Sequence, residues 1–180
     1  MGSQPGLKTL IKSSEIEAAV SRLAAEINRD YAGKELTVVG ILCGSFIFLA
    51  DLVRKLDMPL EIDFIGLSSY GNARESSGEI EVTKRPGCQL KGRHLLIVED
   101  ITDTGLTSTF LLDYLKSYEP ASVKLCALLD KPARRRLPLK IDYLGLSVPD
   151  EFLVGYGLDC AGKYRNLPDI NIMEEASGDA

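Results

Sequence analysis

The chain has 180 residues, 45% of them hydrophobic and 26% charged, with a formal net charge of -5. That length can bury a real core within a single domain, residues 1–180, of ordinary globular composition. The acidic balance argues against a mainly electrostatic nucleic-acid binder, no apolar stretch approaches a membrane span, and the start lacks a signal-peptide pattern, so a cytoplasmic location is expected.

Residues 1–6 suggest a loose start. Ser13 and Ser14 can cap a helix with apolar positions Ile16, Ala19, Val20, Leu23, Ala24 and Ile27, and Gly33 is its stop signal. Leu36–Leu42 (LTVVGIL) has the make-up of a buried strand. It ends in Cys43-Gly44-Ser45 and feeds a helix over residues 46–56, so the small-residue turn could present N–H groups to an anion. Residues 60–67 predict a third strand. Residues 68–79 form a long polar loop with glycines at both ends, either a lid over an active site or a hairpin tip. Residues 80–82 suit a return strand, and Pro86-Gly87 marks a turn.

Residues 94–115 organise the chain. A short branched run at 95–98 has the length of a buried strand and stops at two adjacent acids, Glu99 and Asp100. A turn of small and hydroxylated residues follows at 102–107, and then Phe110, Leu111, Leu112 and Leu115 supply a helical stripe. Ligands of α/β sheets sit at the carboxyl ends of strands, and the N–H groups of a new helix attract an anion such as phosphate. Gly105 allows close backbone approach, and Thr104, Thr107 and Ser108 offer hydroxyls. Glu99 and Asp100 would repel a phosphate beside them, so a ligand with phosphate at one end and hydroxyls or a metal next to it resolves the conflict. A phosphorylated sugar fits. The plain alternative is a strand ending in solvated acids, followed by a helix with an Asp or Thr cap.

Residues 122–129 predict a strand in βαβ register with 95–98. The basic segment at 130–136, with three consecutive arginines, suggests a solvated loop or a subunit contact. Residues 141–146 and 170–173 predict two more strands, and the acidic, small-residue tail at 174–180 is expected to fray. The alternation implies an α/β fold with an open, mainly parallel sheet. Cys43, Cys88, Cys126 and Cys160 are dispersed and His94 is the only histidine, so zinc sites and Cys-His or Ser-His pairs are disfavoured. Any metal should be hard and oxygen-bound, such as Mg²⁺. The two common glycine-rich nucleotide loops are absent.

The run VEDITDTG at residues 98–105 resembles the phosphoribosyl-pyrophosphate motif of type I phosphoribosyltransferases. LCGSF at 42–46 with Ala50-Asp51-Leu52, the strand at 63–65, SSYG at 68–71, LDK at 129–131, PDEFLVGY at 149–156 and YRNLP at 164–168 extend it. Over residues 14–173, in collinear order, the chain is similar to the hypoxanthine (hypoxanthine-guanine) phosphoribosyltransferase family. The resemblance implies a parallel sheet flanked by helices, with a small hood subdomain from the N- and C-terminal segments. It also implies a homo-oligomer, a dimer or tetramer.

The activity so implied joins a 6-oxopurine base, hypoxanthine and guanine first, to the ribose C1 of phosphoribosyl pyrophosphate and releases pyrophosphate. Alternatives are a related enzyme for xanthine and a non-catalytic sensor of the sugar phosphate. The turn Asp103, Thr104, Gly105, Leu106 and Thr107 would wrap the 5′-phosphate, with Glu99 and Asp100 on the ribose hydroxyls and Mg²⁺. Asp103 would exchange the purine N7 proton. Lys131 would donate to the 6-oxo group, Phe152 would stack on the base and the Leu153 backbone would read its edge. Asp159, beside the purine, would hold a second Mg²⁺. Arg165, the Cys43-Gly44 turn, and Ser69 and Tyr70 on the lid would serve the pyrophosphate. The family usually has Lys or Arg where this chain has Cys43, so a cation near the leaving group is lost.

Overall fold

The computed structural model describes residues 6–69 and 80–174. Its elements are β1 (Leu7–Ile11), α1 (Ser13–Asp30), β2 (Leu36–Leu42), α2 (Phe46–Val53), β3 (Leu60–Ser69), β4 (Ile80–Lys84) and β5 (His94–Thr102). They continue with α3 (Leu106–Lys116), β6 (Ser122–Asp130), a 3₁₀ turn at Pro132–Arg134, β7 (Tyr143–Ser147), β8 (Leu153–Val154) and β9 (Ile170–Met173). Six strands form one sheet in the order β4-β3-β2-β5-β6-β7. All its pairs are parallel except β3 with β4. The result is an α/β fold, a mostly parallel sheet flanked by helices.

Both faces of the central strands are covered, which is why β2 and β5 are almost unbroken apolar runs. The pleat sends alternate side chains to opposite faces. Val38, Leu96 and Val98 pack with Ile16, Leu23, Phe48 and Leu52 of α1 and α2. Val39, Leu95 and Ile97 pack with Leu111 and Leu115 of α3. Each such burial stabilises the fold by roughly 1.5–3 kcal/mol.

A second sheet of three antiparallel strands, β1-β9-β8, stands beside the first. Thr9 donates to Asn171 Oδ1 at 3.0 Å and ties together strands that lie far apart in the chain. This sheet carries Leu153 and so brings the segment from Phe152 to the end of the main sheet.

Several boundaries differ from the sequence expectation. Lys12, not Ser13 or Ser14, is the N-cap of α1. The Ser13 N–H donates to Asp169 Oδ1 at 2.7 Å, while Glu15 accepts the Lys12 N–H. α2 stops at Val53, short of the expected residue 56. β5 does not stop at its acids: it runs to Thr102, because β6 keeps pairing with it through Glu99 opposite Ala127 and Thr102 opposite Asp130. α3 is capped by Gly105 in the left-handed region (φ 83°), not by Asp or Thr. The expected lid at 68–79 lies outside the described residues from Tyr70 onward, as do residues 1–5 and 175–180.

Candidate active site

Because β5 continues through Glu99 and Asp100, its pleat turns the two neighbouring acids to opposite faces. Glu99 is buried under α3, where Ser108 Oγ donates to its Oε2 at 2.7 Å. Burial pushes its carboxyl up to about 8, against the pull of the Ser108 bond. Asp100 faces the turn before α2. Burial raises it to about 6, opposed by backbone N–H donors and Arg165 and reinforced by Asp159. A methyl group on Gly44 would overlap the Asp100 carboxylate, so the Cys43-Gly44 turn and the end of β5 can meet only through glycine.

Past Thr102 the chain makes the turn that was expected to hold phosphate. Leu106 N–H donates to Thr104 Oγ1 at 3.3 Å, and the N-cap of α3, Gly105, brings no side chain to it. The N–H groups beyond Leu106 in its first turn therefore remain suited to an anion. From behind, Arg136 and Leu137 donate their N–H groups to the Thr104 carbonyl at 2.9 and 3.3 Å. Arg135 pairs with Asp130, donates to Thr102 Oγ1 at 3.3 Å, and packs against Gly105.

Lys131 continues the ladder by donating its N–H to Thr102 O at 2.9 Å, which sets its side chain at the mouth of the sheet. It is only 7% exposed; its Nζ donates to the Glu151 carbonyl at 2.8 Å and stands 3.7 Å from Asp150 Oδ1. Phe152, by contrast, is 55% exposed. A lysine taken for a loop residue would be solvated and a phenylalanine taken for core would be buried, and neither is so. A cavity of about 230 Å³ is lined by Asp100, Asp103, Lys131, Phe152, Leu153 and Asp159, with Ile101, Arg134 and Leu158. Of the Asp103 carboxylate, Oδ1 is shielded from solvent and has no hydrogen-bond donor among the described residues.

The other end of the site is built on the turn after β2. The Leu42–Cys43 peptide is cis, and Cys43 is exposed. Ser45 Oγ fixes the turn by donating to the Ile41 carbonyl at 2.6 Å. Asp159 forms an ion pair with Arg165 at 2.7 Å and accepts from the Gly162 N–H at 2.7 Å. Arg165 also donates to the Gly157 carbonyl at 2.6 Å, and Gly157 lies against the Gly44 carbonyl. Ser69 closes β3, paired with Ile80, whereas Tyr70 lies outside the described residues.

The structure thus gathers Asp100, Asp103, Lys131, Phe152, Leu153 and Asp159 around one cavity. Arg165 and Gly44 join through Asp159, Gly157 and Asp100. Glu99 does not line the cavity. A larger hollow of about 530 Å³, between α1, α2 and residues 166–168, contains none of the expected site residues that lie among the described ones.

A model of the phosphoribosyl transferase domain matches residues 7–161. The chain belongs to that family. It is 46% identical over 167 residues to the bifunctional protein TilS/HprT of Listeria innocua, covering 93% of this chain but spanning only 26% of that protein. It is 44% identical over 171 residues to the hypoxanthine phosphoribosyltransferase of Haemophilus influenzae, covering 92% of this chain and 96% of that one. A crystal structure of a hypoxanthine-guanine phosphoribosyltransferase from Bacillus anthracis superposes with a TM-score of 0.89 at 46% identity, over 93% of this chain and 99% of that chain.

In this phosphoribosyl transferase domain two arginines escaped the sequence reading. The basic segment, expected to be a solvated loop or a subunit contact, does expose Arg134 and Arg136, yet Arg135 packs against the turn at Gly105 and Arg134 lines the cavity. Their partners lie apart in the chain, Asp103 and Asp150 in two separate loops and Asp130 at the end of β6, so local charge patterning carried no signal for them. No helix among the described residues is long and apolar enough to cross a membrane.

Proposed function

We propose that this phosphoribosyl transferase domain serves purine salvage, transferring the 5-phosphoribosyl group of phosphoribosyl pyrophosphate to hypoxanthine and guanine and releasing pyrophosphate. One observation carries the reading: Asp103, whose Oδ1 has no hydrogen-bond donor among the described residues, lines one cavity with the buried Lys131 ammonium and the exposed Phe152 ring. A flat base with an N–H to give, a carbonyl to offer and a ring face to stack satisfies all three.

A 6-oxopurine stacks on Phe152 while Lys131 donates to its 6-oxo oxygen. Adenine presents an amino donor at that position, which an ammonium repels. The Leu153 backbone meets the edge of the base, and Asp103 takes or returns the N7 proton as the glycosidic bond changes hands. The Asp103–Thr107 turn receives the 5′-phosphate on its N–H groups and hydroxyls, with Leu106 as the first helical residue. The β1-β9-β8 sheet forms the hood over the base.

Mg²⁺ fits the donor set. Asp100 and Asp159 line one cavity, and burial and mutual repulsion make the charged Asp100 costly without a cation. Mg²⁺ commonly takes one or two carboxylates and shares the rest of its sphere with water and substrate oxygens, so this pair would be enough to hold it. When bound, Mg²⁺ neutralises charge on the pyrophosphate and orients it with the ribose hydroxyls. Glu99 backs Asp100 from the opposite face of β5. Arg165 and the Cys43-Gly44 backbone receive the departing pyrophosphate.

Asp103→Asn tests the assignment. Turnover should fall by about 10²- to 10⁴-fold with substrate affinities nearly kept, and full turnover in the variant would remove Asp103 from the proton transfer.

A further inference from the structure

Three consecutive residues just before Asp159 adopt positive φ: Gly155 at 103°, Tyr156 at 47° and Gly157 at 102°. Glycine does so freely, but a tyrosine in this region is held there by its surroundings. Tyr156 is almost fully buried, and its N–H donates to the Leu167 carbonyl at 2.8 Å. Its hydroxyl reaches across to α2 and donates to Asp51 Oδ2 at 2.5 Å. The other Asp51 oxygen pairs with Arg54. Burial, with Asp51 accepting the bond, keeps the phenol protonated and therefore a donor.

That bond stands where three parts of the leaving-group end join. α2 has only eight residues and begins directly after the Cys43-Gly44-Ser45 turn, and a helix so short owes its position to packing. Gly157, next to Tyr156, presses on the Gly44 carbonyl, donates its N–H to the Arg165 carbonyl at 3.0 Å and accepts from the Arg165 guanidinium.

We infer that Tyr156, through its bond to Asp51, is a positioning residue that clamps α2 to residues 155–158 and so holds the Gly44 backbone and Arg165 in register for pyrophosphate. Tyr156 touches no reacting group; it acts through Gly44 and Arg165. The inference rests on the proposed role of those two residues.

The test is Tyr156→Phe, which keeps the ring and removes the hydroxyl. The KM for phosphoribosyl pyrophosphate and the inhibition constant of pyrophosphate should both rise on the order of fivefold, as expected for one lost charge-assisted hydrogen bond. The KM for the base should stay unchanged, a split that general loosening of the fold would not produce. Asp51→Ala should act alike, and the double variant should be no worse than either single one. Unchanged phosphoribosyl pyrophosphate and pyrophosphate constants, an equal rise for the base, or effects that multiply in the double variant would overturn the clamp. If Tyr156→Phe does not fold, Asp51→Ala decides alone. If the wild type releases no pyrophosphate from the substrate, the functional reading fails separately, and calorimetric binding of inorganic pyrophosphate to both proteins still decides the clamp.

Discussion

Arg134 Nε lies 3.3 Å from Asp103 Oδ1, and Arg134 Nη1 lies 3.9 Å from Asp150 Oδ1. One guanidinium therefore spans one end of the cavity, from the turn after β5 to the loop before β8. The Asp103 contact is an ion pair without a hydrogen bond, so the arginine steers the carboxylate while leaving Oδ1 able to accept a proton.

Removing that steering should slow the chemistry more than it weakens the fold. Both partners are substantially exposed, and pairs of that kind add little stability. Arg134→Gln should lower kcat by up to about tenfold, with the melting temperature and the KM for phosphoribosyl pyrophosphate nearly unchanged. Steady-state kinetics beside a thermal melt checks this, and an unaltered kcat would make Arg134 a bystander.

The buried acids make stability depend on pH. Glu99 is raised from its ordinary 4.5 to about 8 and Asp100 from 3.8 to about 6. A raised folded value means the stability contribution is complete below the ordinary value and is lost as pH climbs through the folded one. Between the two values each such group costs up to about 1.4 kcal/mol per pH unit. In chelator and without ligand, the melting temperature should therefore fall from pH 5 to pH 9. Glu99→Gln, which keeps an acceptor for Ser108, should flatten that slope. Parallel curves for the two proteins would contradict the burial argument.

The Cys43-Gly44 turn, proposed to receive pyrophosphate, has no side-chain cation of its own. Cys43→Lys should bind pyrophosphate several-fold more tightly, measured as product inhibition, since an ammonium would add to Arg165. Unchanged affinity would show that the backbone alone does the binding there.

Much of the fold was legible because β2, β5 and β6 are buried on both faces and so carry continuous apolar runs. The end of β5 was not, because strand pairing with β6 continues through residues too polar for an apolar-run rule. That shift matters for the site: only once Glu99 and Asp100 lie on a strand does the pleat part them. The Ser13 cap failed for a nonlocal reason, since Asp169 takes its N–H. The site residues Asp103, Lys131, Phe152 and Asp159 were named from motif order, whereas their common cavity and the undonated Asp103 oxygen required coordinates.

The most direct measurement is pyrophosphate release from phosphoribosyl pyrophosphate with Mg²⁺ and hypoxanthine, guanine, xanthine or adenine in turn. The Lys131, Phe152 and Asp103 arrangement predicts turnover with hypoxanthine and guanine and none with adenine. Adenine used as well as hypoxanthine, or a protein that binds the sugar phosphate yet turns over no base, would contradict it.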